Sequence, residues 1–215
     1  MNKHKLQWID ALTAAAASTR LRAALAIGST PDPQWVDILI ARCAIEPDFY
    51  VRDMLTWALT RISVELTAPR LLTELLSPNA QARSQALHTL SKIKVAGIWP
   101  AITRALLRDP DDEVARSAWR AAVVLVPEGQ KAHLAKELAA QLGRGDQKMQ
   151  LSLTRALLEL GAEVVEPVLK EAMTRDNAVV IAHARATLRL LHDPDAVFEI
   201  DVQEARRVFV LSKER

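Results

Sequence analysis

Apolar residues recur three and four apart along almost the whole chain, the spacing that places them on one face of an α-helix. The same phrases also recur as units. Glu-Pro-Asp-Phe-Tyr-Val-Arg (46–52), Ser-Pro-Asn-Ala-Gln-Ala-Arg (77–83) and Asp-Pro-Asp-Asp-Glu-Val-Ala-Arg (109–116) are followed by weaker copies at 145–150 and 176–181. With Val51, Ala82, Val114, Met149 and Val180 as the zero of each copy, the spacings are 31, 32, 35 and 31 residues. Counting forward 0, 4, 8 and 11 gives Val51, Leu55, Leu59, Ile62, then Ala82, Ala86, Leu90, Ile93, then Val114, Ala118, Ala122, Leu125. The last two copies give Met149, Leu153, Leu157, Leu160 and Val180, Ala184, Leu188, Leu191, so all twenty positions are apolar. Seven residues before each zero stand Ala44, Leu75, Leu107, Leu142 and Met173, the inner face of a preceding helix. Each unit therefore reads helix, turn, helix, with an apolar face that only stacking on its neighbours can bury.

Prolines punctuate the units. Pro47, Pro78 and Pro110 fall in the turns, and Pro69, Pro100 and Pro167 are expected near the start of each first helix, where a missing N–H costs little. The segment Asp109-Pro110-Asp111-Asp112-Glu113-Val114 with Ala118, together with Val51-Arg52 and Ala82-Arg83, resembles HEAT repeats over roughly residues 17–192. The unit is shorter than the roughly 40 residues of long HEAT repeats and is similar to the compact version found in bacterial proteins. Neither the Trp-x2-Leu-Gly phrase of tetratricopeptide repeats nor the Thr-Pro-Leu-His phrase of ankyrin repeats occurs. The resemblance implies an all-α, right-handed α-α superhelix, an armadillo-like solenoid of about five hairpins with terminal caps. It also implies a ladder in which an Asp before each turn pairs with an Arg one residue after a neighbouring zero. Arg52, Arg83 and Asp109 fit that ladder, whereas Ala115, Gln150 and Ile181 do not.

The ends depart from the repeat. Residues 1–30 are expected to form an N-terminal capping helix whose zero is either Ala17 or Thr19, and residues 31–192 the repeats. Residues 193–215 are expected to cap the other end, with Phe198, Ile200, Val202, Ala205 and Phe209 folding back over the last unit. The whole chain, 1–215, then forms one solenoid domain.

Opposite the apolar stripe, positions 2, 6 and 9 of each second helix are expected to face solvent. Position 6 reads Trp57, His88, Arg120, Arg155, Ala186, position 2 reads Asp53, Ser84, Arg116, Leu151, Ala182, and position 9 reads Thr60, Ser91, Val123, Leu158, Arg189. In a HEAT-like solenoid these helices line the concave side. The resemblance therefore implies a partner-binding row of Trp57, His88, Arg116, Arg120 and Arg155, flanked by Asp53 and Ser84, about 40 Å long at the usual 10 Å helix spacing. Aromatic and guanidinium groups are enriched where binding energy concentrates. The bland reading is that Trp57 packs on a neighbouring helix and the arginines are merely solvated. Trp8, Trp35, Trp99 and Trp119, near predicted helix starts or edges, read as packing residues.

Composition removes several functions. Half the 215 residues are hydrophobic and a quarter charged, which excludes intrinsic disorder. The 28 basic and 26 acidic residues nearly balance, so charge alone does not mark a nucleic-acid binder. No apolar run approaches the roughly 20 residues of a membrane span, and Gln7, Trp8 and Asp10 interrupt the stretch that Lys3 and Lys5 introduce, so no secretion signal is expected. Cys43, the one cysteine, lies on an apolar stripe with Leu39 and Ile40 and reads as a packing residue in a cytoplasmic protein. No His-Glu dipeptide of the HEAT-type di-iron hydroxylases occurs, and His4, His88, His133, His183 and His192 fall on different units or faces, so neither a metal site nor a cofactor is expected. Bilin lyases use similar short repeats, but nothing marks a chromophore site. The HEAT-like alkylpurine DNA glycosylases place an Asp four residues after a Trp. Here Asp53 precedes Trp57 by four, which leaves Asp53, Trp57 and Arg120 as the residual candidates of that kind. The expected function is therefore a non-catalytic scaffold binding a protein or peptide on the concave second helices. A nucleic-acid-binding relative of the glycosylases is the alternative.

Overall fold

The computed structural model describes residues 3–95 and 97–203. Among the described residues there are twelve α-helices and no strand. They fall into six consecutive pairs. The first three are α1 (Lys3–Leu12) with α2 (Ala17–Ser29), α3 (Val36–Cys43) with α4 (Phe49–Thr60), and α5 (Val64–Glu74) with α6 (Ala80–Ile93). The last three are α7 (Arg104–Leu107) with α8 (Asp112–Leu125), α9 (Lys131–Ala139) with α10 (Gln147–Leu158), and α11 (Ala162–Ala172) with α12 (Ala178–His192). The second helices α2, α4, α6, α8, α10 and α12 pack successively side by side, and the first helices form the other layer. The chain is an α solenoid.

The periodic stripe is the core. Of the twenty apolar positions, fifteen are buried, and Ile93, Leu125, Val180, Leu188 and Leu191 are half-buried. The second helices start at a fixed place because an Asp or Asn stands three residues before each zero. Asp48, Asn79, Asp111, Asp146 and Asn177 each accept a hydrogen bond from a first-turn amide of their own helix. Such a cap is worth about 1 kcal/mol. At the first pair Ala16 occupies this position and cannot cap, which is why sequence alone leaves that register open.

The register of the first pair is fixed instead by an ion pair. Arg20 grips Glu46 with both ends of its guanidinium at 2.7 and 2.8 Å, and Arg83 grips Asp109 in the same way at 3.0 and 3.1 Å. Arg20 thus occupies the position one after zero, and Thr19 is the zero. Each of these arginines also donates to two carbonyls of the turn before its own helix, Ala14 and Ala15 for Arg20, and Ser77 and Pro78 for Arg83. Arg52 makes the same two turn bonds, to Glu46 and Pro47, but its cross-unit position is Ser77. Where Ala115 breaks the series, the cation comes from the other side of the interface. Arg144, five before the zero of α10, donates to the carbonyls of Asp109 and Pro110 and pairs with Asp112. A buried carbonyl without a donor costs about as much as a lost hydrogen bond, so the turn needs the guanidinium regardless of which unit supplies it.

Two expectations of placement are corrected. Pro69 and Pro167 stand at the sixth residues of α5 and α11, inside the helices, because both helices begin directly after the preceding turn. Only Pro100 keeps an early position, in the 3-10 turn Trp99–Ala101 ahead of α7. Trp119 lies mid-helix rather than at an edge. It is fully buried in α8, with its indole N–H donating to the Leu107 carbonyl at 2.9 Å.

The last interface holds a buried polar chain. His183 Nδ1 accepts the Gly143 amide at 2.9 Å, so Nε2 carries the proton and donates to Thr154 Oγ1 at 3.0 Å. Thr154 then reaches Thr187 at 2.8 Å, and Thr187 donates to the His183 carbonyl. Burial pulls the imidazole pKa down from 6.5 to about 4. A base whose folded pKa is depressed contributes stability above its unfolded pKa and loses it as pH falls through the folded value. Unfolding free energy is therefore expected to drop by about 3 kcal/mol between pH 6.5 and 4 through this group, measured by urea denaturation. The His183→Asn variant, lower throughout, should lack that drop, and an equal slope in both proteins would refute it.

After α12 the described chain runs without helix from 193 to 201 and turns helical again at Val202. Ile200 and Val202 pack against Ile181 and Ala182, and Phe198 meets the His183 ring edge-on at 6.0 Å. Ala205 and Phe209, expected to join them, lie outside the described residues.

Candidate functional site

Between α6, α8 and α10 runs an open groove of about 690 Å³. It is lined by His88, Arg116, Arg120 and Arg155, four residues that sequence reasoning assigns to one row. Lys92 and Lys94 at the end of α6 add two further cations, and among the described residues Glu159 is the one acidic group on its walls. The floor carries Val123, Val124 and Ala156, with Val124 46% exposed.

Arg116 is committed locally, to Glu113 at 2.7 Å and to Ser152 Oγ at 3.1 Å. Arg120 donates to Ser117 Oγ at 3.1 Å. Among the described residues, Lys92, Lys94, Arg120 and Arg155 have no carboxylate within ion-pair distance. Desolvation, then Arg116, lowers the pKa of Arg120, and desolvation, then Arg120 and Lys92, lowers that of His88. His88 is therefore neutral near pH 7, and the groove's positive field comes from its arginines and lysines. Burial is the larger cause of both shifts, and the neighbouring cations add to it.

The other three row residues do not line the groove. Trp57 is half-buried, with its ring lying over Gly28 of α2, where a Cβ would come within 2.3 Å of the indole. The guanidinium of Arg61 lies over the same ring, 6.0 Å from its centroid. Asp53 is exposed on α4. Ser84, expected to face solvent, is 7% exposed and bonds Ser117 Oγ at 2.9 Å across the α6–α8 interface. Ala182 and Ala186, also expected outside, are buried, Ala182 beneath the C-terminal segment. The residual glycosylase set of Asp53, Trp57 and Arg120 is thus divided between the α4 surface, the α2–α4 packing and the groove.

What sequence reasoning missed on the groove wall has a simple signature. Lys92, Val124 and Glu159 all stand ten residues after their zeros, about 40° round the helix from position 6. Cys43 is buried, and burial pushes its thiol up to about 12, so it is a packing residue without thiolate character at neutral pH. Among the described residues no three His, Cys, Asp or Glu side chains gather as metal ligands, and no helix is long and apolar enough to cross a membrane.

Residues 6–91 match the family model of HEAT repeats. No curated protein matches the chain. Among solved structures, the crystal structure of an engineered protein is similar at 19% identity and a TM-score of 0.45, over 89% of this chain and 97% of that one. The matched segment spans the first three helix pairs, and the register capped there at Asp48 and Asn79 recurs at α8, α10 and α12.

Proposed function

We propose that the protein is a non-catalytic scaffold that holds a partner protein in the groove between α6, α8 and α10, the concave side of the solenoid. HEAT repeats generally mediate protein–protein interaction. The observation that carries the reading is the set of four cations, Lys92, Lys94, Arg120 and Arg155, gathered without carboxylate partners around a partly apolar floor. Guanidinium groups held in that way match carboxylates bidentately. Trp57, whose ring packs on α2, lies outside this groove.

Phosphates would satisfy the same cations, so a nucleic acid is the second reading. A photo-crosslinking residue at position 124 separates the two in lysate of the native host, with Arg120→Glu/Arg155→Glu as control. The double variant should melt within a few degrees of the wild type, since Arg120 and Arg155 are exposed. A protein adduct lost in the double variant is the expected result. A nuclease-sensitive adduct, weakening steeply with salt, would transfer the groove to nucleic acid. Adducts unchanged by the double variant would make it ordinary surface.

A further inference from the structure

The chain carries on its last helix an example of what such a groove accepts. From residue 196 to 203 the burial alternates strictly, with Ala196, Phe198, Ile200 and Val202 half-buried and Val197, Glu199, Asp201 and Gln203 exposed. Residues 197–201 lie outside any helix, and there the alternation has the period of an extended backbone, whose side chains point to opposite sides in turn, before a helix begins at Val202. Of the inward residues, Ile200 and Val202 rest on Ile181 and Ala182, and Phe198 on His183. Glu199 and Asp201 share a small cleft of about 150 Å³ with Ala182, Arg185, Ala186 and Arg189. Ala182, Ala186 and Arg189 stand two, six and nine residues after the zero of α12, the same positions as Arg116, Arg120 and Val123 on α8. One face of a second helix, in one register, is thus covered by a segment whose apolar side chains pack on the helix and whose carboxylates line a cleft with its arginines.

We infer that the groove between α6, α8 and α10 takes an extended segment of a partner protein in which apolar and acidic residues alternate. This rests on the reading of the groove as a protein-binding site. Charge and shape both match. Val123, Val124 and Ala156 offer the floor for the apolar side chains, and Lys92, Arg120 and Arg155 stand over it for the carboxylates. Residues 198–202 run Phe-Glu-Ile-Asp-Val, one full statement of that alternation. On the groove the cations outnumber those on α12, so the partner's segment should be at least as acidic as the chain's own.

The test uses the full chain and three labelled probes in fluorescence anisotropy. One is the peptide Ala-Val-Phe-Glu-Ile-Asp-Val-Gln, the second has the same composition with its two acids adjacent, and the third is an oligothymidylate of equal length. The alternating peptide should bind saturably, with the rearranged peptide at least about tenfold weaker. Arg120→Glu/Arg155→Glu and, separately, Val124→Asp should each weaken it by at least about tenfold, while Arg185→Glu leaves it unchanged. Melting curves of all variants establish that they are folded. If both peptides bind equally and the double variant loses both, charge alone decides and the alternation is overturned, with the groove reading intact. If neither peptide binds although residue 124 still crosslinks a protein, the segment class is wrong and the groove reading again stands. If only the oligothymidylate binds, both fall.

Discussion

Leu90→Asp is expected to abolish the cooperative unfolding of the central repeats, leaving a protein that melts at least about 10 °C lower or shows two separate transitions. Leu90 is fully buried on α6, eight residues after the zero of its unit, and α6 makes with α8 the most extensive helix contact among the described residues. An aspartate there either keeps its charge in an apolar site or takes up a proton to avoid it, and leaves a void where the leucine methyls were. Each term is worth a few kcal/mol, about 4 kcal/mol or more in all. At this chain length a kcal/mol shifts the midpoint by roughly 2–4 °C. In a solenoid the loss is not confined to the mutated unit, because every repeat is stabilised through its interfaces with its neighbours. Breaking α6 uncouples α2 and α4 from α8, α10 and α12. The isosteric Leu90→Met should cost under about 1.5 kcal/mol, which separates the charge from the change of residue. An unchanged melting curve for Leu90→Asp would mean that the repeat register is wrong.

The register was legible because each unit repeats it. Val51, Ala82, Val114 and Met149 sit in equivalent turns, and the alternation of core and surface follows from helical geometry without reference to anything distant. What failed depends on the neighbouring unit. Ser84 lies on the outward side of its own helix, yet the next helix comes close enough for Ser117 to bond it, and a helical wheel of one unit contains no information on that approach. Ala182 is covered by residues that follow the last repeat. The salt-bridge ladder shows the same division. Read along one register it lacks its acid at Ser77 and its arginine at Ala115. Across the interface, Arg144 fills the two carbonyl sites that an arginine at position 115 would occupy. The candidate site was half legible for the same reason. His88, Arg116, Arg120 and Arg155 share a wheel position or its neighbour, whereas the packing of Trp57 is decided by a glycine on another helix, Gly28.

Arg20→Met is expected to cost about 3–5 kcal/mol, nearly as much as the core substitution, although it touches the edge of the solenoid. Glu46 is wholly buried and Arg20 almost so. Burial alone would raise the Glu46 pKa, but the bonds from Arg20, the Asp48 amide and Arg42 outweigh it and hold the carboxyl at about 2. Removing Arg20 leaves this carboxylate with Arg42 at 2.5 Å and the Asp48 amide at 2.9 Å, and leaves the Ala14 and Ala15 carbonyls without their donor. The cost is therefore chiefly that of a stranded charge. Arg20→Met/Glu46→Met should accordingly recover at least about half of the loss, since replacing both members of a buried pair by apolar groups is often neutral while removing one is not. Glu46 is a group with a depressed folded pKa, so its contribution is present above pH 4.5 and lost as pH falls toward about 2. That window lies below the one in which His183 acts, from 6.5 to about 4. The gap in urea stability between wild type and Arg20→Met should therefore be constant from pH 8 to 5 and narrow between 4.5 and 2, because only the wild type surrenders the pair on acidification. A gap that stays constant through that range, or a double variant whose loss equals the sum of the two single losses, would show that Arg20 acts through packing alone and that the Arg20–Glu46 rung does not hold the first helix pair to the second.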